Sequence, residues 1–134
     1  MVASELTQLL QNYFSASDDV QLAVLYGSRA LGNATAQSDV DVAVYLTQPL
    51  TASRKMDIIS ELGALCRLEI DVLDLHRASA TVFRQVFTKG KIVTNRSPAV
   101  YEKLLKRLVY DEADFLPLVR RTLKERADRF INGH

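Results

Sequence analysis

Two short stretches carry most of the information in this chain, Gly27-Ser28-Arg29-Ala30-Leu31-Gly32 and Asp39-Val40-Asp41. A spacer of ten residues separates Ser28 from Asp39. A turn of small residues lets the backbone approach and hold a phosphate group. Two carboxylates with a single residue between them can hold a divalent cation. Because an acidic pair beside a phosphate is unfavourable without a cation between them, the two stretches together indicate a site where phosphate and metal meet.

The strand that carries the acidic pair shows which way its side chains point. Side chains alternate between the two faces of a β-strand, and every second position from Val40 to Leu46 is apolar. Asp39 and Asp41 therefore share the opposite face. Two like charges about 4 Å apart repel by roughly 4 kcal/mol at an effective dielectric of 20, and Mg²⁺ typically takes one or two carboxylates plus substrate phosphates. A solvated strand end with two acids is the alternative interpretation.

An apolar run, Gln21-Leu22-Ala23-Val24-Leu25-Tyr26, precedes the glycine turn. A continuous apolar run bounded by a turn predicts a central strand buried on both faces. Gly27 then permits a tight backbone approach, and Ser28 offers a hydroxyl and an N–H at the start of a short helix, where phosphate is favoured. The alternative is an ordinary strand-to-helix turn. The stretch is neither a Walker A loop nor Gly-x-Gly-x-x-Gly.

A third carboxylate is available on a second acidic strand, Leu68-Glu69-Ile70-Asp71-Val72-Leu73-Asp74-Leu75. Parity puts Glu69 and Asp71 on one face and Asp74 on the other. Asp71 is expected mid-strand among apolar neighbours, where an unpartnered carboxylate is costly. It is the predicted third metal ligand, with Glu69 as a weaker rival, whereas Asp74 is expected to cap the backbone or meet solvent.

This set, Gly27-Ser28, the spacer, Asp39-x-Asp41 and Asp71, resembles the signature of the DNA polymerase β-type nucleotidyltransferase superfamily. Within it, the chain is similar to the minimal nucleotidyltransferase (MNT) branch, the antitoxin half of HEPN/MNT toxin–antitoxin pairs. The resemblance covers nearly the whole chain. It implies an α+β (α/β-type) nucleotidyltransferase fold, in which helices flank a mixed β-sheet and a helical extension follows. One departure is Leu31, where many relatives carry arginine.

The resemblance also implies a chemistry. Asp39 and Asp41 would bridge two Mg²⁺ ions, and Asp71 would complete one of them. Gly27 and Ser28 would hold the β- and γ-phosphates of ATP. Arg29 would offer its charge to the triphosphate, although a surface arginine is the simpler interpretation. AMP would pass to a tyrosine of a HEPN ribonuclease toxin in a hetero-oligomeric complex, and this modification would neutralise the toxin.

Two alternatives remain open from sequence. The chain could mask the toxin by contact alone, with a vestigial nucleotide site. It could instead be a small-molecule nucleotidyltransferase that resembles the aminoglycoside-modifying enzymes. His76 invites interpretation as a general base, but a polar residue at a strand end is the expectation here.

Composition sets the outer limits. At 134 residues, with a hydrophobic content of 48%, one globular domain over 1–134 is expected, with a core at about 1–95 and C-terminal helices at about 97–131. A net charge of +1 carries no basic footprint for nucleic acid. No run reaches transmembrane length and the start does not resemble a signal peptide, so no membrane association is expected. The single cysteine, Cys66, is expected in the core of a cytoplasmic protein.

Apolar spacing predicts the remaining elements. A helix over 3–15 would take Ser4 as its N-cap. A second would start at Thr51 or Ser53 and bury one stripe, Met56, Ile59, Leu62, Leu65 and Cys66. A helix near 77–88 would stop at Gly90, and an edge strand over 91–94 would follow. The C-terminal apolar stripe would be core, with part of it a possible partner surface, and Pro117 would kink it.

Overall fold

The computed structural model of the protein describes residues 2–111, 120, 121 and 123–125. Strands and helices follow one another along the chain as α1 Ala3–Ser15, β1 Val20–Tyr26, α2 Ser28–Leu31, β2 Val40–Leu46, α3 Ala52–Cys66, β3 Ile70–Asp74, α4 Ala80–Lys89, β4 Lys91–Asn95 and α5 Pro98–Asp111. The predicted α+β fold is confirmed.

The four described strands form one mixed sheet in the order β3-β2-β1-β4. β1 runs antiparallel to both of its neighbours, whereas β2 and β3 are parallel. The apolar run before Gly27 is therefore a central strand, as predicted, and β4 is an edge strand, as predicted. The acidic strands β2 and β3 lie side by side, and their connection through α3 is the crossover that a parallel pair requires.

Helices cover both faces of the sheet. α1 and α3 pack on the first face, where they bury Leu6, Leu10, Phe14, Ile58, Leu62 and Cys66 against the inward side chains of β1, β2 and β3. α4 and α5 pack on the second face, through Phe83, Val86, Phe87, Leu104 and Leu108. Cys66 is a buried core residue, as predicted.

The helix starts follow the polar side chains only in part. The Thr51 hydroxyl accepts the Arg54 backbone N–H at 3.1 Å, so Thr51 rather than Ser53 caps α3. The predicted Ser4 cap is wrong, because α1 already begins at Ala3, after Val2, which contributes no side-chain cap. α4 begins later than predicted because Ser79 caps it, and it ends before Gly90, as expected.

The predicted apolar stripe of α3 is partly wrong. Its buried residues are Ile58, Leu62 and Cys66, four positions apart, as one face of a helix requires. Met56 and Leu65 project into solvent instead. α5 confirms the first predicted C-terminal helix, whereas the Pro117 kink lies outside the described residues. Within the described part of the chain, no helix is long and apolar enough to cross a membrane.

Candidate active site

Three side chains line up across neighbouring strands at one end of the sheet. Tyr26, the last residue of β1, is the register partner of Asp41 on β2. Asp41 in turn is the register partner of Asp71 on β3. The row lies on the second face, because Val40 and Val42 on either side of Asp41 are buried against the first. A phenol and two carboxylates therefore meet where the predicted phosphate turn begins.

Gly27 follows this row directly and is shaped around it. Its φ of 73° and ψ of −158° fall in a region essentially restricted to glycine. A Cβ atom at this position would overlap the Oδ2 atom of Asp41. The Gly27 carbonyl accepts the N–H groups of Ala30 and Leu31, which closes the turn into α2. Glycine is thus needed twice over, for the backbone conformation and for the space that Asp41 occupies.

Electrostatics show that the three predicted metal ligands act on one another. Burial raises the pKa of the Asp41 carboxyl, and the charges of Asp71 and Asp39 raise it further. Burial, Asp71 and Asp41 together raise the pKa of the Tyr26 phenol to about 12. The site therefore holds concentrated negative charge beside a phenol that stays protonated. Mg²⁺ prefers oxygen ligands such as carboxylates, and its positive charge would offset the repulsion among these three. Asp39, Asp41 and Asp71 therefore fit the metal.

Asp39 and Asp71 lie in different kinds of secondary structure. Asp39 is exposed in the loop before β2, and Asp71 is exposed as the second residue of the edge strand β3. Asp71 lies within β3 between two apolar neighbours, as predicted, but its side chain is exposed, and its place beside Asp41 is what singles it out. Its rival Glu69 precedes β3 and is exposed. Among the described side chains, no three of the His, Cys, Asp and Glu type are gathered closely enough to hold a metal ion already.

Asp74 and His76 have structural roles, as expected. The Asp74 carboxylate accepts the backbone N–H groups of Leu50 and His76, each at 3.0 Å. The His76 ring stacks on Tyr45 with centroids 4.0 Å apart, and its Nε2 lies 2.8 Å from the carbonyl oxygen of Leu46. Both residues tie the far end of β3 to neighbouring segments, away from the row of Tyr26 and Asp41.

The remaining predicted nucleotide ligands, Ser28 and Arg29, start α2 and are half-buried. The Arg29 guanidinium donates to backbone carbonyls of the loop that leads to Asp39. Its contact with a triphosphate stays a prediction. Sequence reasoning missed Tyr26, although parity could have found it: Tyr26 shares the face of Leu22 and Val24 and ends the strand just before the turn.

Comparison with known proteins places this geometry in a family. The family model described as polymerase beta, nucleotidyltransferase, matches residues 8–99. A protein adenylyltransferase MntA of Shewanella oneidensis is 32% identical over 72 residues, which are 54% of this chain and 52% of that protein. A protein of the same name from Aphanizomenon flos-aquae is 25% identical over 138 residues, covering 96% of this chain and 91% of that protein. The chain thus aligns with about half of the first relative and most of the second.

Solved structures share the fold. A toxin–antitoxin structure with AMP-PNP superposes with a TM-score of 0.65 at 22% identity and covers 92% of this chain and 99% of that chain. A tri-AMPylated Shewanella oneidensis HEPN toxin in complex with MNT antitoxin gives a TM-score of 0.65 at 19% identity, with 91% and 99% covered. At these identities the likeness concerns the fold alone.

Proposed function

Because the chain belongs to the polymerase β nucleotidyltransferase family, we propose that it is a Mg²⁺-dependent protein adenylyltransferase. It moves AMP from ATP to a tyrosine of a cognate HEPN toxin and thereby neutralises that toxin. The observation that carries this proposal is the register row of Tyr26, Asp41 and Asp71 beside the Gly27 turn. Passive binding of a nucleotide does not call for such a row of negative charge.

Each residue of the site has a distinct task in this reaction. Asp39, Asp41 and Asp71 present the carboxylate oxygens that would hold Mg²⁺. Bound Mg²⁺ supplies positive charge that neutralises the triphosphate and lowers the pKa of the acceptor hydroxyl. The turn at Gly27 and Ser28 accommodates the β- and γ-phosphates. The acceptor oxygen bonds to the α-phosphorus as the bond from that phosphorus to the β-phosphate oxygen breaks, so pyrophosphate leaves and the hydroxyl proton goes to solvent.

The acceptor is assigned to a partner protein. Two relatives carry the name protein adenylyltransferase, and a structural neighbour is a complex with a tri-AMPylated HEPN toxin. These names support a protein acceptor over an antibiotic. The complex is proposed to form in the cytoplasm, where ATP and Mg²⁺ are available and Cys66 stays reduced.

The test is the intact mass of the toxin after incubation with this chain, ATP and Mg²⁺. The toxin is expected to gain whole AMP units, and none when Mg²⁺ is chelated. A variant with Asp39→Ala and Asp41→Ala should bind the toxin yet leave its mass unchanged and its ribonuclease active. If this variant still silences the ribonuclease, masking by contact is sufficient and the catalytic proposal is wrong.

A further inference from the structure

The Arg29 guanidinium donates hydrogen bonds to the loop between α2 and β2. Its Nε and Nη2 atoms both donate to the carbonyl oxygen of Ser38, at 3.2 and 2.9 Å, and Nη2 also lies 3.4 Å from the carbonyl oxygen of Ala36. The loop is itself closed by a hydrogen bond from the Thr35 N–H to the Ser38 hydroxyl at 2.9 Å. A forked guanidinium suits such a task because its donors are fixed in one plane.

The Ser38 carbonyl, which accepts both of these hydrogen bonds from Arg29, belongs to the residue immediately before Asp39. On the other side of Asp39, the Val40 N–H donates to the carbonyl oxygen of Glu69 at 2.8 Å. The Asp39 backbone is therefore fastened on both sides, to α2 through Arg29 and to the entry of β3 through Glu69. This matters because Asp39 is exposed, so burial does not hold its side chain in place.

The surroundings of Arg29 place it on the first face of the sheet. It lines a cavity of about 140 Å³ together with Leu6, Thr7 and Leu25, and Leu6 and Leu25 belong to the core between the sheet and α1. Its charge also acts on the Cys66 thiol of that core, lowering a pKa that burial raises. Asp41 and Asp71 lie on the second face, whereas Leu6 and Leu25 beside Arg29 belong to the first.

We propose that Arg29 is a positioning residue, which fixes the loop that delivers Asp39 to the active site, and that it does not contact the triphosphate. The proposal rests on the proposed adenylyl transfer for its kinetic readout. Its geometric part, the clamp on the Ser38 carbonyl, is independent of that reaction. Loosening the clamp should misplace one carboxylate of three and leave the phosphate turn intact.

The kinetic test compares Arg29→Lys with Arg29→Gln. A lysine keeps the charge but cannot donate from two nitrogens fixed in one plane. Both variants should therefore lower kcat and raise the Mg²⁺ concentration for half-maximal rate by about ten- to a hundredfold, as loss of a supporting residue does. The KM for ATP should change by less than about twofold, since uniform substrate binding is untouched. A raised KM for ATP at unchanged kcat, or full rescue by lysine, would show that Arg29 acts on the triphosphate and would overturn the proposal.

A second measurement separates failure of the clamp from failure of the reaction. The Ser38 N–H donates to the Thr35 carbonyl within the loop, and its hydrogen exchange should be faster in both Arg29 variants while exchange in β2 stays unchanged. Arg54→Lys is the matched control, because Arg54 forks onto Asp19 at 3.2 Å from each of its two nitrogens; it should alter neither kcat nor Ser38 exchange. Unaltered Ser38 exchange in the Arg29 variants would refute the clamp. A wild-type chain that transfers no AMP would instead refute the proposed function.

Discussion

Tyr26 and Asp41 are register partners on neighbouring antiparallel strands, which places a phenol and a carboxylate on the same face of the sheet beside the Gly27 turn. Asp41 continues the row to Asp71 on the parallel strand β3. Gly27 follows Tyr26 in the chain and leaves the space that the Asp41 carboxylate fills. The end of β1 thus supplies both the phenol that lies beside Asp41 and the glycine that leaves space for the Asp41 carboxylate.

The phenol of Tyr26 is expected to steady the carboxylate row. With its pKa raised to about 12, the phenol keeps its proton at pH 7 and can donate a hydrogen bond. Tyr26→Phe keeps the ring and removes the donor, so the Mg²⁺ concentration for half-maximal AMP transfer should rise about tenfold. Tyr45→Phe is the control, since Tyr45 stacks on His76 instead. Equal Mg²⁺ titrations for the two variants would contradict this role.

Two glycines allow the Asp41 contact to be separated from backbone strain. Gly27 and Gly32 both have positive φ, 73° and 77°, but an added Cβ meets Asp41 only at Gly27 and nothing within 4 Å at Gly32. Gly32→Ala should therefore lower the free energy of unfolding by about 1–2 kcal/mol with little loss of activity. Gly27→Ala should lower it by at least as much and abolish AMP transfer, because Asp41 is displaced. Equal activity in the two purified variants would exclude a special role for Gly27.

The raised pKa of Asp41 sets a pH dependence. The folded protein binds this proton more tightly than the unfolded chain, so stability falls as pH rises from the ordinary value of 3.8 through the raised folded pKa. Asp41→Asn should thus raise the free energy of unfolding at pH 7 by about 0.5 kcal/mol, since it relieves like charges opposite one another. The gain should vanish below pH 3.8. Thermal unfolding at both pH values measures it, and a variant less stable than wild type at pH 7 would contradict it.

Metal addition should reverse this order. A ligand that binds only the folded state raises stability by mass action, so Mg²⁺ in the presence of an ATP analogue should raise the Tm of the wild type. Asp41→Asn should show a much smaller rise at the same concentrations. An equal rise in both proteins would place the metal outside the Asp41 row.

Asp74 and Asp71 should give opposite phenotypes, although both are acids of β3. The Asp74 carboxylate, with 9% of its side chain exposed, accepts two backbone N–H groups. Asp74→Ala should lower the free energy of unfolding by about 2–3 kcal/mol and preserve kcat in the folded fraction. Asp71→Asn should raise stability slightly, because it relieves the same repulsion as Asp41→Asn, and remove activity. Denaturant unfolding and rate measurements on the same two preparations distinguish the roles, which would be wrong if Asp74→Ala lost kcat while fully folded.

Local pattern was sufficient where the chemistry is local. The parity of Asp41 against Val40 and Val42 identified its face correctly, and the run before Gly27 identified the central strand. The turn itself was visible because only glycine tolerates the conformation found at Gly27.

What escaped prediction depends on pairing between distant segments. Parity places Tyr26 on the second face, but its position beside Asp41 depends on the register of β1 and β2, which no local pattern fixes. The apolar neighbours of Asp71 indicate a carboxylate in need of a partner, but β3 is an edge strand and the Asp71 side chain is exposed. Met56 was expected inside because apolar spacing alone cannot show which of two neighbouring stripes of α3 faces the sheet.

In the proposed function, Asp39, Asp41 and Asp71 together drive AMP transfer to a protein partner. The most direct measurement is the intact mass of the HEPN toxin after incubation with ATP, Mg²⁺ and either the wild-type chain or Asp71→Asn, at matched folded concentrations. Whole AMP units are expected on the toxin with the wild type, and an unmodified toxin is expected with Asp71→Asn. Equal modification by both proteins, or an unmodified toxin with the wild type, would contradict it.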